Sequence, residues 1–215
     1  MNLANKLTIF RIILVPVLMI VPIVDSIYGI SGELLGVPTS FWIMNIIFII
    51  ASITDKLDGY IARSRNQVTT IGKFLDPLAD KILVLSALII LVEYGKIPSW
   101  IPIIVLAREF IVSGYRLIAV EKGGKVISAS IWGKIKTVTQ MFAIILAFLD
   151  KFKFGDFVYG VFTEAEAKLS SSLILMTTGE FAINLLSTLM LIISVIATIF
   201  SGINYLKGSK ELFKD

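Results

Sequence analysis

Six apolar runs, each close to the roughly 20 residues that a helix needs to cross a bilayer, constrain this chain more than any other feature. They cover about Thr8–Val24, Ser40–Asp58, Leu75–Tyr94, Pro98–Val120, Ser128–Leu149 and Phe181–Tyr205. Hydrophobic residues make up 56% of the 215 and charged residues only 17%, below the roughly 25% usual in soluble domains. A soluble chain of this size would have too little polar surface to cover itself. The expected fold class is an all-α integral membrane protein: one domain over residues 1–215, built as a bundle of six transmembrane helices. No internal repeat divides it, and the first run reads as a span rather than a short signal core.

The distribution of lysine and arginine then orients the bundle. Sixteen of the 20, from Lys6 and Arg11 to Lys210 and Lys214, fall at one side; Lys96, Lys151, Lys153 and Lys168 fall at the other. The positive-inside rule puts the rich side, with both termini, in the cytoplasm, and six spans agree with that. The net charge of +4 therefore reports membrane orientation, and nucleic acid is not an expected partner. Residues 151–179 mix Phe152, Phe154, Phe157, Tyr159 and Phe162 with acids and a serine-rich turn. They read as an extracytoplasmic loop with an interfacial helix, unless Leu173–Met176 already begins the sixth span.

Four carboxylates, Asp55, Asp58, Asp76 and Asp80, sit within 26 residues at the cytoplasmic ends of the second and third runs. Ionised groups in spans are costly and mark function, and four together would repel one another and resist ionisation. Bound divalent cations are the cheapest remedy. The chain has no cysteine and no histidine, so an all-oxygen donor set favours hard Mg2+ or Mn2+ over zinc. Asp55 and Asp58 are one helical turn apart; Gly72, Asp76 and Asp80 follow in steps of four, so each set shares a helix face. Two adjacent helices would clamp two cations roughly 3.5–4 Å apart, the arrangement of two-metal phosphoryl-transfer sites. Gly59 and Gly72 leave room for a nucleotide to approach the backbone, Ala62 keeps that surface shallow, and Arg63 offers a bidentate phosphate contact. Thr69 and Thr70 would hydrogen-bond the donor from the connecting loop. The competing reading pairs the acids with Lys56, Lys73 and Lys81, but needs neither the glycines nor the gaps. Pro77 stands either in the first turn of the third helix or at a kink.

Written as a pattern, the stretch is D-x2-D-G-x2-A-R-x8-G-x3-D-x3-D, and it resembles the motif of the CDP-alcohol phosphotransferases at every fixed position and gap. The resemblance implies a membrane enzyme, a homodimer, that moves a phosphatidyl or related group from a CDP-activated donor to an alcohol. It implies Asp55, Asp58 and Asp76 as ligands of two divalent cations, Asp80 as a ligand that is also the catalytic base, and Gly59, Ala62, Arg63, Thr69 and Gly72 as CDP-binding positions. The N-terminal Asn5, Thr8 and Arg11 also match the family, which implies that Asn5 and Thr8 bind the donor. On elementary grounds Asn5 is a helix cap and Arg11 a snorkelling anchor.

The acceptor must be read elsewhere. Arg108-Glu109-Phe110 lies inside the fourth run, Arg116 follows two turns later, and Lys134 and Lys136 open the fifth. Cations within spans usually face a cavity, so Arg108, Arg116, Lys134 and Lys136 would make a pocket for an anionic acceptor; membrane anchoring is the simpler reading for the two lysines. The whole stretch over about residues 1–145 is similar to the bacterial branch of the family whose substrates are CDP-diacylglycerol and glycerol 3-phosphate. Inositol phosphate or phosphatidylglycerol are the alternative acceptors, and a cation transporter the alternative class.

Overall fold

The computed structural model describes residues 3–30, 32–64, 70–121, 131–159 and 176–208, with side chains at 7–30, 32–54, 78–116, 118, 131–158 and 176–207. Six long helices run through the described residues: α1 (Leu3–Tyr28), α2 (Thr39–Ser64), α3 (Thr70–Glu93), α4 (Trp100–Glu121), α5 (Ile131–Leu149) and α6 (Thr178–Gly208). Each apolar run coincides with one of them. Among the described residues three segments are long and apolar enough to cross a membrane: Leu7–Tyr28, Ile131–Leu149 and Thr178–Lys207. Their outward faces carry exposed Ile13, Ile20, Phe142, Ile196 and Phe200, which water would not tolerate as a continuous surface. The protein is an all-α membrane protein.

Local chemistry explains where helices stop. α3 ends in a Schellman motif: Gly95 takes a φ of 66°, its N–H donates to the Val92 carbonyl (2.9 Å), and Lys96 N–H donates to that of Leu91 (2.8 Å). α6 starts three residues earlier than the apolar run suggests because Thr177 and Glu180 form a capping box. Thr177 N–H donates to the Glu180 carboxylate (2.8 Å), and Glu180 N–H to the Thr177 hydroxyl (3.3 Å). Met176 and Thr177 are not helical, so the last span does not begin at Leu173. α3 begins at Thr70, so Pro77 stands two turns inside it, not in its first turn. A short hairpin, β1 (Glu33–Leu34) and β2 (Val37–Pro38), links α1 to α2. Its turn places Leu35 and Gly36 at φ 55° and 72°, the type I′ geometry that suits a tight hairpin.

α1 packs on α2 and α3, while α6 packs along α5 and α4. Leu18, Met44, Phe48, Leu83, Leu88, Ile144 and Phe148 form the shared buried core. α6 also buries Asn184, Ser187, Ser194, Thr198 and Ser201, polar or small side chains along one face that Leu191 interrupts. Small residues let membrane helices approach closely, and Thr198 returns its hydroxyl proton to the Ser194 carbonyl (2.6 Å).

The end of the bundle away from the four acids is closed by matched polar groups. Asp25 at the end of α1 accepts from Ile30 N–H (3.0 Å) and from the Tyr94 hydroxyl (3.1 Å). Asp150 accepts from Phe152 N–H (3.0 Å) and from Asn184 Nδ2 (2.8 Å), and Lys96 donates to the Asp150 carbonyl (2.6 Å). Asn184 also donates to the Lys153 carbonyl (2.8 Å) and accepts from Phe157 N–H (2.6 Å). Residues 151–159 thus form a fastened turn with a 3-10 segment at Asp156–Tyr159; the expected interfacial helix falls mostly on residues outside those described.

Candidate active site

The Tyr94–Asp25 bond puts the end of α3 beside the end of α1. The start of α3 therefore lies at the same end of the bundle as the start of α1. The motif follows this geometry. Asp55, Asp58, Gly59, Ala62 and Arg63 occupy the last ten residues of α2, and Gly72, Asp76 and Asp80 the first eleven of α3. The backbone places them on two helices joined by five residues. Their side chains, Asp80 excepted, lie outside the described residues, as do Thr69 and the side chain of Asn5. Thr8 and Arg11 are described and both are buried, at 2% and 0% exposure. Arg11 is thus not a snorkelling anchor; it points into the bundle at the motif end.

Asp80 borders a cavity of about 360 Å3 between α3 and α4. Lys81, Glu109, Ser113 and Lys136 supply its other polar lining, while Leu78, Ile82, Leu85, Leu106 and Phe110 make the apolar wall. One partly buried carboxylate organises this region. Glu109 of α4 meets Lys136 of α5 at 2.8 Å, Arg108 at 2.8 Å and Lys81 of α3 at 3.6 Å. Lys81 also hydrogen-bonds Ser113. Among the described residues three cations from three helices lie within 4 Å of this one acid, and Asp80 borders the same cavity. Cations gathered in this way inside a helix bundle usually face a cavity or a ligand rather than lipid.

The expected four-cation pocket is therefore divided in two. Arg108 and Lys136 meet on Glu109. Arg108 also donates to the Ser201 hydroxyl of α6 (2.6 Å), and its guanidinium lies 5.9 Å from the Tyr205 ring centre. Arg116 donates to the Tyr205 hydroxyl (2.8 Å) and lies 5.6 Å from the same ring. Lys134 is exposed and takes no part in either group. Sequence reasoning raised Lys81 only as a partner of the motif acids, and did not single out Ser113, Ser201 or Tyr205. Lys81 follows Asp80 directly, and Ser201 and Tyr205 are one turn apart in a span, so a search for polar groups sharing a face of α6 would have raised the last two.

The motif acids offer only carboxylate oxygens, and the chain has no thiolate or imidazole; that chemistry would suit a hard divalent cation. Asp80, the member whose side chain is described, faces the cavity rather than the lipid.

The model of the CDP-alcohol phosphatidyltransferase family matches residues 1–200. The chain belongs to this family. It is 45% identical over 156 residues to the CDP-diacylglycerol–glycerol-3-phosphate 3-phosphatidyltransferase of Bacillus subtilis, covering 71% of this chain and 79% of that protein. It is 33% identical over 213 residues to the protein of the same name from Rickettsia bellii, covering 99% and 97%. A third relative so named, from Haemophilus influenzae, is 42% identical over 147 residues, covering 66% of this chain and 73% of the relative. The family makes this chain an enzyme of phospholipid synthesis.

Proposed function

We propose that the protein transfers the phosphatidyl group of CDP-diacylglycerol to glycerol 3-phosphate, giving phosphatidylglycerophosphate and CMP. The observation that carries the acceptor is the convergence of Lys81, Arg108 and Lys136 on Glu109 beside the cavity that Asp80 borders. A phosphate monoester would meet these cations, whereas an uncharged alcohol would not. The names of the relatives support the same reaction.

Asp55, Asp58, Asp76 and Asp80 would hold the divalent cations, Mg2+ or Mn2+. Bound there, such cations polarise the donor pyrophosphate and stabilise charge on the departing CMP. The chain's own residues do the rest. Lys136 and Arg108, with Lys81, hold the acceptor phosphate, and Arg116 guards the same side. Asp80 accepts the proton of the terminal hydroxyl. The hydroxyl oxygen forms a bond to the lipid-proximal phosphorus, and the bond from that phosphorus to the bridging oxygen breaks, releasing CMP. Gly59, Ala62, Arg63, Thr69 and Gly72, with Asn5 and Thr8, bind the CDP moiety. Orientation and electrostatics supply most of the rate. All six helices cross the cell membrane, with the motif end and both termini cytoplasmic, and the active unit is a homodimer.

The test is CMP release by purified protein given CDP-diacylglycerol and Mg2+, with and without glycerol 3-phosphate. Release that depends on glycerol 3-phosphate is expected. Release only with inositol phosphate or phosphatidylglycerol would move the acceptor, and none with any acceptor would remove the reaction.

A further inference from the structure

α6 supplies none of the motif, and the family match ends at residue 200. Yet its last two described turns touch both arginines of α4. We infer that Tyr205 is a positioning residue, setting the guanidiniums of Arg116 and Arg108 for an anionic ligand. This rests on the acceptor reading above and deepens it.

Tyr205 is 3% exposed; its hydroxyl meets Arg116 and its ring lies near both arginines. The hydroxyl accepts from Arg116 Nη2 at 2.8 Å. The ring lies 5.6 Å from the Arg116 guanidinium and 5.9 Å from that of Arg108, within the range of cation–π attraction. Ser201 fixes the far side of Arg108 at 2.6 Å.

The chemistry of the support matters. A carboxylate holds a cation by neutralising it, so an arriving anion must compete. An aromatic face and a phenol oxygen hold a guanidinium in place and leave its full charge for a ligand. Among the described residues Arg116 meets no carboxylate; its fixed partner is Tyr205. Eight residues, about 12 Å along a helix, separate Arg108 from Arg116 on α4, and one ring reaches both. A tyrosine placed only to fasten α6 to α4 would need no such pair of like charges.

The experiment measures initial rates of CMP release by the full chain carrying Tyr205→Phe, Tyr205→Leu, Arg116→Ala, or Arg116→Ala with Tyr205→Phe. Tyr205→Phe keeps the ring and is expected to raise the KM for glycerol 3-phosphate about threefold to tenfold, the scale of one hydrogen bond to a charged group. The donor KM and kcat should stay within about twofold. Tyr205→Leu should raise the acceptor KM further. In the Arg116→Ala background Tyr205→Phe should change nothing more, because it acts through Arg116. Equal shifts in both KM values, or effects that multiply in the double variant, would overturn the inference. If Tyr205→Leu does not fold, Tyr205→Phe alone decides. A second readout separates the two readings: inorganic phosphate should raise the melting temperature of the wild type, and more phosphate should be needed with Tyr205→Phe. Weakened phosphate protection in a protein that ignores glycerol 3-phosphate would uphold Tyr205 and remove the acceptor. Unchanged protection and unchanged KM in an enzyme that uses glycerol 3-phosphate would remove Tyr205 and uphold the acceptor.

Discussion

Both ends of the helix bundle bury charge, but they settle it differently. At the far end Asp25, Asp150 and Asn184 are each met by backbone and side-chain partners between 2.6 and 3.1 Å away. At the motif end three cations converge on one carboxylate, and Arg116 leans on a phenol. The first arrangement is complete and joins loops to helices. The second gathers more cations than acids among its described ion pairs, beside a cavity, and suits the proposed anionic acceptor. Burial alone therefore does not separate a fastening from a binding site; the balance of charge within each cluster does.

Changes at the two ends should accordingly fail in different assays. The largest effect is expected from Asp80→Asn, which removes the proposed base and one of the carboxylates proposed to hold metal. Turnover should fall at least about a thousandfold while the folded protein still binds CDP-diacylglycerol, measured by CMP release and by binding in detergent. Unchanged turnover would remove the base assignment. Arg116→Ala should come next, raising the KM for glycerol 3-phosphate about tenfold or more with little change in the donor KM; equal changes would dissolve the distinction between the two ends. Asn184→Leu should do the reverse. It strands the Asp150 carboxylate and two backbone groups, costing about 3 kcal/mol of stability, visible as a lower melting temperature with both KM values unchanged.

Asp150 sharpens the comparison through pH. Burial is the main force that holds its carboxyl above the ordinary value of 3.8, against the bonds from Phe152 and Asn184 and the charge of Lys96. A raised folded value means the folded state keeps the proton longer than the unfolded chain. The contribution is thus full below 3.8 and is lost as pH rises through the folded value. Asp150→Asn should flatten that decline in a melting series across the acid range, and a slope unchanged by the substitution would contradict the burial account. The smallest effect is expected at Gly202→Ala, whose new methyl meets Arg108 Cγ at ordinary contact distance; melting temperature and acceptor KM should both stay near the wild type.

Much of this was legible in the sequence, and for physical reasons. Apolar runs of bilayer length became helices because no other structure satisfies their backbone. The motif announced itself because Asp55 to Asp80 are close along the chain and spaced by helical turns. The exact start of α6 depended on a reciprocal bond between Thr177 and Glu180, which hydropathy does not register. The hairpin at Glu33–Pro38 rested on two residues with positive φ, one of them Leu35, not a usual turn former. The support of the arginines was hidden most deeply. Arg108 meets Ser201 across 93 positions and Arg116 meets Tyr205 across 89, and no local periodicity encodes such pairs. The same distance in sequence let the expected pocket group Lys134 with Lys136, although one is exposed and the other buried.

Glu109 gives the arrangement a further property. It is already an anion on the cations that a phosphate would seek, so it acts as an internal rival for every acceptor. Because the three cations come from α3, α4 and α5, Glu109 also ties three helices together. On the proposed reading an acceptor phosphate would bind at that tie, so its charge would be felt by the packing of all three helices, whereas a neutral alcohol would leave the junction as it is.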